Sequence, residues 1–177
     1  VTINDLFHLS LVASDNTATK ALVRSAGLSD EEFVAAMNAK ARELELKHTV
    51  FRDYIGLSAY NLSTAREVAR LLQAALAADK IATATRLEDY SFTTAQGRPV
   101  RAESTNELVA EFKRSEVEFA GGKTGHIPAA GYCLAGSFRN ALGRNIISVV
   151  LGGPTPASRF RLTREMMQWT FSSYVWN

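Results

Sequence analysis

The chain has 177 residues, of which 46% are hydrophobic and 21% charged, enough apolar content for a domain with a hydrophobic core. Its formal net charge is only +2 and its basic residues are scattered, which argues against a nucleic-acid-binding protein. No stretch reaches the roughly 18 consecutive apolar residues of a membrane-spanning helix, and the single cysteine excludes an internal disulfide.

The first part of the chain predicts three helices. Thr2 and Asp5 resemble a capping box, and the apolar helix that follows ends at the triplet Ser-Asp-Asn at residues 14–16. A second helix is expected over residues 17–26, because a glycine suited to a helix end comes next. A third opens with another capping box at residues 29–32.

The middle of the chain changes from helices to short strands. Residues 48–63 are irregular, and Ser63 is expected to cap a fourth helix. A short helical or loop piece follows at residues 78–87. Two β-rich stretches at residues 91–95 and 100–104, split by a Gly-Arg-Pro turn, predict a β-hairpin.

The last third predicts a sheet and a closing helix. Strands are expected at residues 117–124, 132–139 and 145–152, and the tight turn between the last two requires an antiparallel pair. Residues 156–174 predict a helix whose apolar side carries Phe160, Leu162, Met166, Trp169 and Phe171. The fold class is therefore α+β, an antiparallel sheet flanked by helices. We expect one domain over residues 1–177, helical to about residue 87 and sheet with the closing helix from about residue 88.

Two triplets carry residues suited to chemistry, Ser14-Asp15-Asn16 at a helix end and Lys123-Thr124-Gly125 on a glycine-flanked strand. Each alone is also an ordinary helix cap or strand end. Together, in this order, S-x-N and K-T-G are a signature of penicillin-binding proteins and class A β-lactamases. Residues 37–51, 56–67 and 123–136 extend the similarity. From about residue 6 to about residue 169, the chain resembles the low-molecular-mass penicillin-binding proteins.

That resemblance implies a penicillin-binding protein/β-lactamase-like transpeptidase fold with its N-terminal part missing from this chain. It implies a serine D-alanyl-D-alanine carboxypeptidase or endopeptidase that acts on peptidoglycan through an acyl-enzyme. Peptidoglycan peptides and β-lactam antibiotics would be its ligands, and neither a metal nor a cofactor is expected. The expected location is the periplasm or another extracytoplasmic, cell-wall-associated site.

The resemblance also implies roles for three catalytic residues. Ser14 would pass protons between two lysines and the leaving amine, and Asn16 would hydrogen-bond an amide of the substrate. Lys123 would place a positive charge in the cleft, where it favours an anionic nucleophile and attracts a carboxylate.

Three further residues are expected to bind the substrate. The Thr124 hydroxyl would donate to the substrate carboxylate, and the backbone N–H of His126 would help to hold the oxyanion. Gly125, with Gly121 and Gly122, would leave room for a peptide along the strand edge.

The family nucleophile lies in an S-x-x-K motif, and no serine of this chain is followed three residues later by lysine. Residues 17–20 have threonine in place of serine and follow the S-x-N triplet, so we reject them. We therefore expect the chain to begin downstream of the nucleophile, with the S-x-x-K segment supplied by the same or a separate chain. The chain alone is expected to be inactive, and prone to aggregation because a sheet edge would be uncovered.

Several alternatives stay open at this point. Carboxypeptidases of the family carry an arginine shortly before the K-T-G strand, and residues 101–106 do not place one clearly; residues 63–66 and 105–106 favour the endopeptidases slightly. A class A β-lactamase would need a glutamate in an E-x-x-L-N context, which is absent. An inactive relative that binds cell-wall peptides is the non-enzymatic alternative. Cys133 is expected in the core.

Overall fold

The computed structural model describes residues 1–113 and 115–176. Its helices are α1 (Ile3–Val12), α2 (Asn16–Ser25), α3 (Asp30–Glu43), α4 (Ala65–Leu76), α5 (Asp79–Ala84), α6 (Leu108–Phe112) and α7 (Pro156–Ser173). Its strands are β1 (Asp89–Thr93), β2 (Pro99–Glu103), β3 (Glu118–Ile127), β4 (Gly131–Arg139) and β5 (Asn145–Gly153). Within the described ranges, no helix combines the length and apolar character that crossing a bilayer requires.

The helix starts follow local side-chain chemistry. Thr2 and Asp5 form a capping box at α1, and Ser29 and Glu32 form another at α3, as the sequence predicts. The prediction for α4 is off by one residue. Thr64, not Ser63, is the N-cap, and its hydroxyl accepts from the backbone N–H of Glu67 at 3.2 Å. The Ser63 hydroxyl is instead hydrogen-bonded to that of Thr49 at 2.8 Å.

The buried carboxylate of Glu67 holds the start of the irregular segment before α4. Its oxygens accept from the backbone N–H of His48 at 3.0 Å, from the His48 ring at 2.8 Å and from the Thr49 hydroxyl at 2.6 Å. Burial raises the pKa of Glu67, but these hydrogen bonds outweigh it and the net pKa lies below the ordinary value. The contact of His48 with Glu67 is therefore structural.

Strands β1 and β2 form the predicted antiparallel hairpin, which pairs Asp89 with Glu103 and Thr93 with Pro99. The hairpin packs on α1. The Tyr90 hydroxyl donates to the buried carboxylate of Asp5 at 2.8 Å, and the Tyr90 ring stacks on His8 with centroids 4.2 Å apart.

The three-stranded sheet has the order β3-β4-β5, and both pairs are antiparallel. Its register shifts once in β3: Phe119 pairs with Phe138, but Gly121 pairs with Ser137, so Ala120 is an extra residue on this strand. Side chains alternate between the faces of a strand. Beyond this β-bulge, Gly121 and Lys123 therefore lie on the face opposite to that of Phe119.

Helices cover both faces of the sheet. Gly121 lies against Leu76 of α4 on one face, and the main hydrophobic core lies on the other, between the sheet and helices α6 and α7. The buried residues of this core are Leu108, Val109, Phe112, Phe119, Leu134, Phe138, Phe160 and Met167. The sequence reasoning assigned no element to α6, which supplies three of them.

The predicted apolar side of α7 is wrong at two positions. Met166 and Trp169 are 38% and 59% exposed, whereas Met167 and Thr163 are buried. The buried face of α7 consists of Phe160, Thr163 and Met167, which lie on one side of the helix at helical spacing. Cys133 is half-buried and lies outside the core, contrary to the prediction.

Candidate functional site

The turn between α1 and α2 presents the Ser14 side chain. The carbonyl of Leu9 accepts from the backbone N–H of Ala13 at 3.2 Å and from that of Asp15 at 3.1 Å, which ends α1. Ser14 adopts the left-handed conformation, φ +55°, which costs a non-glycine residue about 1 kcal/mol. Asp15 then caps α2 by accepting from the N–H of Ala18 at 2.7 Å. The hydrogen bonds on either side of Ser14 fix this turn, and with it the position of the Ser14 hydroxyl.

The predicted relay residue and the predicted lysine are in contact. The Lys123 ammonium donates to the Ser14 hydroxyl and also to the backbone carbonyl of Thr124, at 3.2 Å. Burial and, to a smaller extent, the positive charge of Arg159 together lower the pKa of Lys123 from its ordinary 10.5 to about 8. The fold thus brings together two side chains that are 109 positions apart in the sequence.

Asn16 lies two residues after Ser14, in the first turn of α2, and its side chain is exposed. Thr124 is buried, and its hydroxyl is 2.6 Å from that of Thr105. Thr105 also donates its backbone N–H to the carbonyl of Val12 at 3.1 Å. Thr105 therefore ties the end of α1 to the strand that carries Lys123. One of the two threonine hydroxyls donates its proton to the other, and the second hydroxyl keeps a proton that it can donate to another acceptor.

The glycines of β3 serve two different purposes. A Cβ atom on Gly121 would come within 2.6 Å of Leu76, and one on Gly122 within 2.3 Å of the Ala135 carbonyl oxygen. These two glycines allow close packing inside the protein, so the expectation that they open the strand edge to a peptide is wrong. A Cβ on Gly125 would meet nothing closer than Cys133, at 3.9 Å. Of the three, Gly125 alone leaves room for a Cβ atom.

His126 follows Gly125 on the same strand, and its side chain is exposed. Its ring stacks on that of Tyr132, its partner on β4, with centroids 3.9 Å apart and planes inclined by 17°. Strand β3 extends through His126 to Ile127, further than the predicted end at residue 124. Gly125 and His126 are therefore part of the same regular strand as Lys123.

Arg159 is a site residue that the sequence reasoning missed. It lies in the first turn of α7, and its Nη1 donates to the carbonyl of Gly125 at 3.3 Å. The end of β5 at Gly153 pairs with Tyr132, which pairs with His126. This strand pairing brings the start of α7 to the end of the K-T-G strand, and it is the signal from which the position of Arg159 could have been found. Arg101, in the stretch 101–106 that precedes the K-T-G strand, instead pairs with Asp89 at 3.0 Å.

Taken together, the site has a lysine with a lowered pKa, a serine hydroxyl in contact with it and a second cation at the strand edge. Such a set can move protons and bind a carboxylate. Among the side chains that the structure describes, no cluster of three or more His, Cys, Asp or Glu residues is suited to a metal ion.

Two bacterial peptidases have sequences similar to this chain. The chain is 33% identical over 172 residues to a D-alanyl-D-alanine endopeptidase of Haemophilus influenzae, covering 95% of this chain and 56% of that protein. It is 32% identical over 176 residues to the D-alanyl-D-alanine carboxypeptidase DacF of Bacillus subtilis, covering 98% of this chain and 44% of that protein. The chain thus spans about half the length of these curated relatives.

The fold matches as well. The Streptomyces K15 DD-transpeptidase superimposes with a TM-score of 0.88 at 26% identity, over 97% of this chain and 68% of that one. This confirms the predicted α+β transpeptidase fold. The family model for D-alanyl-D-alanine carboxypeptidases, peptidase S11, matches residues 1–155. The resemblance predicted from the two triplets is confirmed: the chain belongs to the peptidase S11 family of D-alanyl-D-alanine carboxypeptidases.

Proposed function

We propose that the protein containing this chain is a serine-type D-alanyl-D-alanine peptidase that cleaves peptidoglycan stem peptides or cross-links through an acyl-enzyme. The observation that carries the proposal is the contact between Lys123 and Ser14, with the Lys123 pKa lowered to about 8. A lysine that titrates near neutral pH and touches a hydroxyl can exchange protons with it during catalysis. Family membership supports the same reaction.

The mechanism we propose divides the reaction into two steps. A serine of an S-x-x-K segment outside these 177 residues attacks the D-alanyl carbonyl, and its proton reaches the leaving amine through Ser14. Asn16 binds an amide of the substrate, and the backbone N–H of His126 stabilises the oxyanion. Water then hydrolyses the acyl-enzyme. Acyl transfer of this kind needs only side chains and backbone donors, so no cofactor is assigned.

We propose that Lys123, Thr124 and Arg159 bind the carboxylate on the leaving residue. Two cations and a hydroxyl lie near the strand edge at Gly125, where a Cβ atom would meet no close contact. A terminal D-alanine carries such a carboxylate next to the scissile amide. A cross-link to the D-centre of a diamino acid carries one at the same place, so this site suits carboxypeptidase and endopeptidase reactions alike.

Two further assignments follow from the substrate. Because peptidoglycan lies outside the cytoplasmic membrane, we propose a periplasmic or other extracytoplasmic location. The S-x-x-K segment, in the same or a separate chain, is the partner that the proposed mechanism requires, because no serine of the 177 residues is followed three residues later by lysine.

Labelling with a fluorescent penicillin tests the proposed function. We expect a stable covalent adduct on the longer protein that carries S-x-x-K and no adduct on the 177-residue chain. In the longer protein, Ser14→Gly should reduce the acylation rate by about 100-fold or more. Because glycine adopts φ +55° with less strain, this variant should fold at least as well as the parent. A fully active Ser14→Gly protein would remove Ser14 from the mechanism.

The same experiment separates the alternatives. Rapid turnover of the penicillin would indicate a β-lactamase, and no adduct on the longer protein would leave only a cell-wall peptide-binding relative. A label on the 177-residue chain would mean that the nucleophile lies within it. Release of D-alanine from a linear pentapeptide, against cleavage of a cross-linked dimer, then distinguishes carboxypeptidase from endopeptidase.

A further inference from the structure

Tyr132 connects the three elements that meet at the open end of β3. It is the second residue of β4, and it pairs with His126 on β3 and with Gly153 at the end of β5. Its ring is half-buried and lies against the His126 ring, with centroids 3.9 Å apart. Tyr132 therefore has a fixed position next to the strand edge, while its ring is still accessible to a neighbour.

That neighbour is Arg159. Its guanidinium carbon lies 5.6 Å from the centroid of the Tyr132 ring and 4.7 Å from that of the buried Phe160. Within residues 1–113 and 115–176, the only hydrogen bond of this guanidinium is the one from Nη1 to the Gly125 carbonyl, at 3.3 Å. Its Nε is buried without a partner. No carboxylate of the described residues forms an ion pair with Arg159, although Glu107 attracts it from a greater distance, and the two rings are close contacts that restrain it.

We propose that Tyr132 is a positioning residue: its ring holds the Arg159 guanidinium at the strand edge and thereby sets the preference for substrates with a free carboxylate. This inference rests on the proposed function, because the carboxylate is that of the peptidase substrate. Cations are attracted to the face of an aromatic ring. The ring also reduces the number of conformations that the long arginine side chain can adopt before a ligand binds.

The contacts explain why the effect should concern selectivity. Arg159 has donors left over after its bond to Gly125, and an ordered guanidinium offers them to a carboxylate in a fixed geometry. A carboxamide at the same place has no negative charge for it to bind. Loss of the Tyr132 ring should therefore weaken the reaction of the acid and leave that of the amide nearly unchanged.

The test compares two peptides in the longer protein that carries S-x-x-K: one ends in D-Ala-D-Ala with a free carboxylate, the other in the carboxamide. We expect Tyr132→Leu to lower the ratio of kcat/KM for acid over amide about tenfold, the scale of a partly buried cation–aromatic contact. Tyr132→Phe keeps the ring and should keep the ratio within about twofold. Tyr60→Leu changes a tyrosine that is 75% exposed, and it should leave both peptides unaffected.

Three outcomes would overturn the inference: an unchanged ratio in Tyr132→Leu, an equal loss for both peptides, or a Phe variant that behaves like the Leu variant. Failure of the proposed function has a different appearance. In that case the unsubstituted protein would cleave neither peptide or would show no preference for the acid.

Discussion

Lys123 is an unusual lysine because its ammonium is largely buried and has no carboxylate partner among the described residues. It donates to Ser14 and to the Thr124 carbonyl, while Arg159 adds a second positive charge nearby. Both burial and the like charge disfavour the protonated form. The native state is therefore less favourable for the charged lysine than the unfolded chain is.

This predicts a dependence of stability on pH. Lys123 titrates near 8 in the native state and near 10.5 when unfolded, so between these values the unfolded chain binds more protons. We expect the free energy of unfolding, relative to Lys123→Met, to be lowest below pH 8 and to rise as the pH increases toward 10. Urea titrations of both proteins at pH 7 and 9.5 measure the difference. A difference that is constant with pH would show that the pKa is not lowered.

At the scale of elements, the glycines of β3 show how one strand can be closed on one side and open on the other. Gly122 faces the backbone of β4 at a distance that admits no side chain, whereas a Cβ on Gly125 would meet only Cys133, at 3.9 Å. Two identical substitutions three residues apart should therefore have different consequences.

We expect Gly122→Ala to disrupt the pairing of β3 with β4, because its Cβ would lie 2.3 Å from the Ala135 carbonyl oxygen. Rigid backbone atoms cannot yield as a side chain can, and a loss of stability of about 2 kcal/mol or more is expected. Gly125→Ala should fold normally but block the strand edge, which lowers penicillin acylation. Thermal melting and the acylation rate of both variants check this. Equal melting temperatures for the two variants would contradict it.

The sequence predicts elements well where the signal is local. The capping boxes at residues 2–5 and 29–32, the hairpin and the three long strands involve neighbours along the chain. The helix α6 and the position of Arg159 depend on how distant elements pack, and five residues of α6 give no clear periodicity. The contact of Ser14 with Lys123 was predicted through the family motif and not from spacing alone.

At the scale of the whole molecule, we propose that the helical and sheet regions form one domain. Three contacts join them: Lys123 with Ser14, Thr105 with Val12, and the packing of Gly121 on Leu76. Both β3 and β5 are edges of the sheet in the described chain. The edge of β3 belongs to the proposed site, whereas β5 is an apolar edge.

We expect the β5 edge to drive self-association of the 177-residue chain, because exposed, uncharged strands pair with one another. Leu151 on this edge is 45% exposed. Leu151→Lys should reduce aggregation, measured by light scattering at equal protein concentration. Leu142→Lys adds the same charge in a turn, at a side chain that is 80% exposed, and should have little effect. Equal improvement by both would mean that net charge, and not the strand edge, controls association.

The extra residue in β3 decides which face of the sheet the Lys123 side chain lies on. Phe119 faces the α7 core, and only because Ala120 is unpaired does Lys123, four residues later, face the α1–α2 turn. If Ala120 instead paired with Ser137, every later residue of β3 would change faces, so the lysine would face the apolar core and Thr124 would face Ser14. The unpaired residue in β3 is therefore as much a determinant of the site as the identity of the lysine itself.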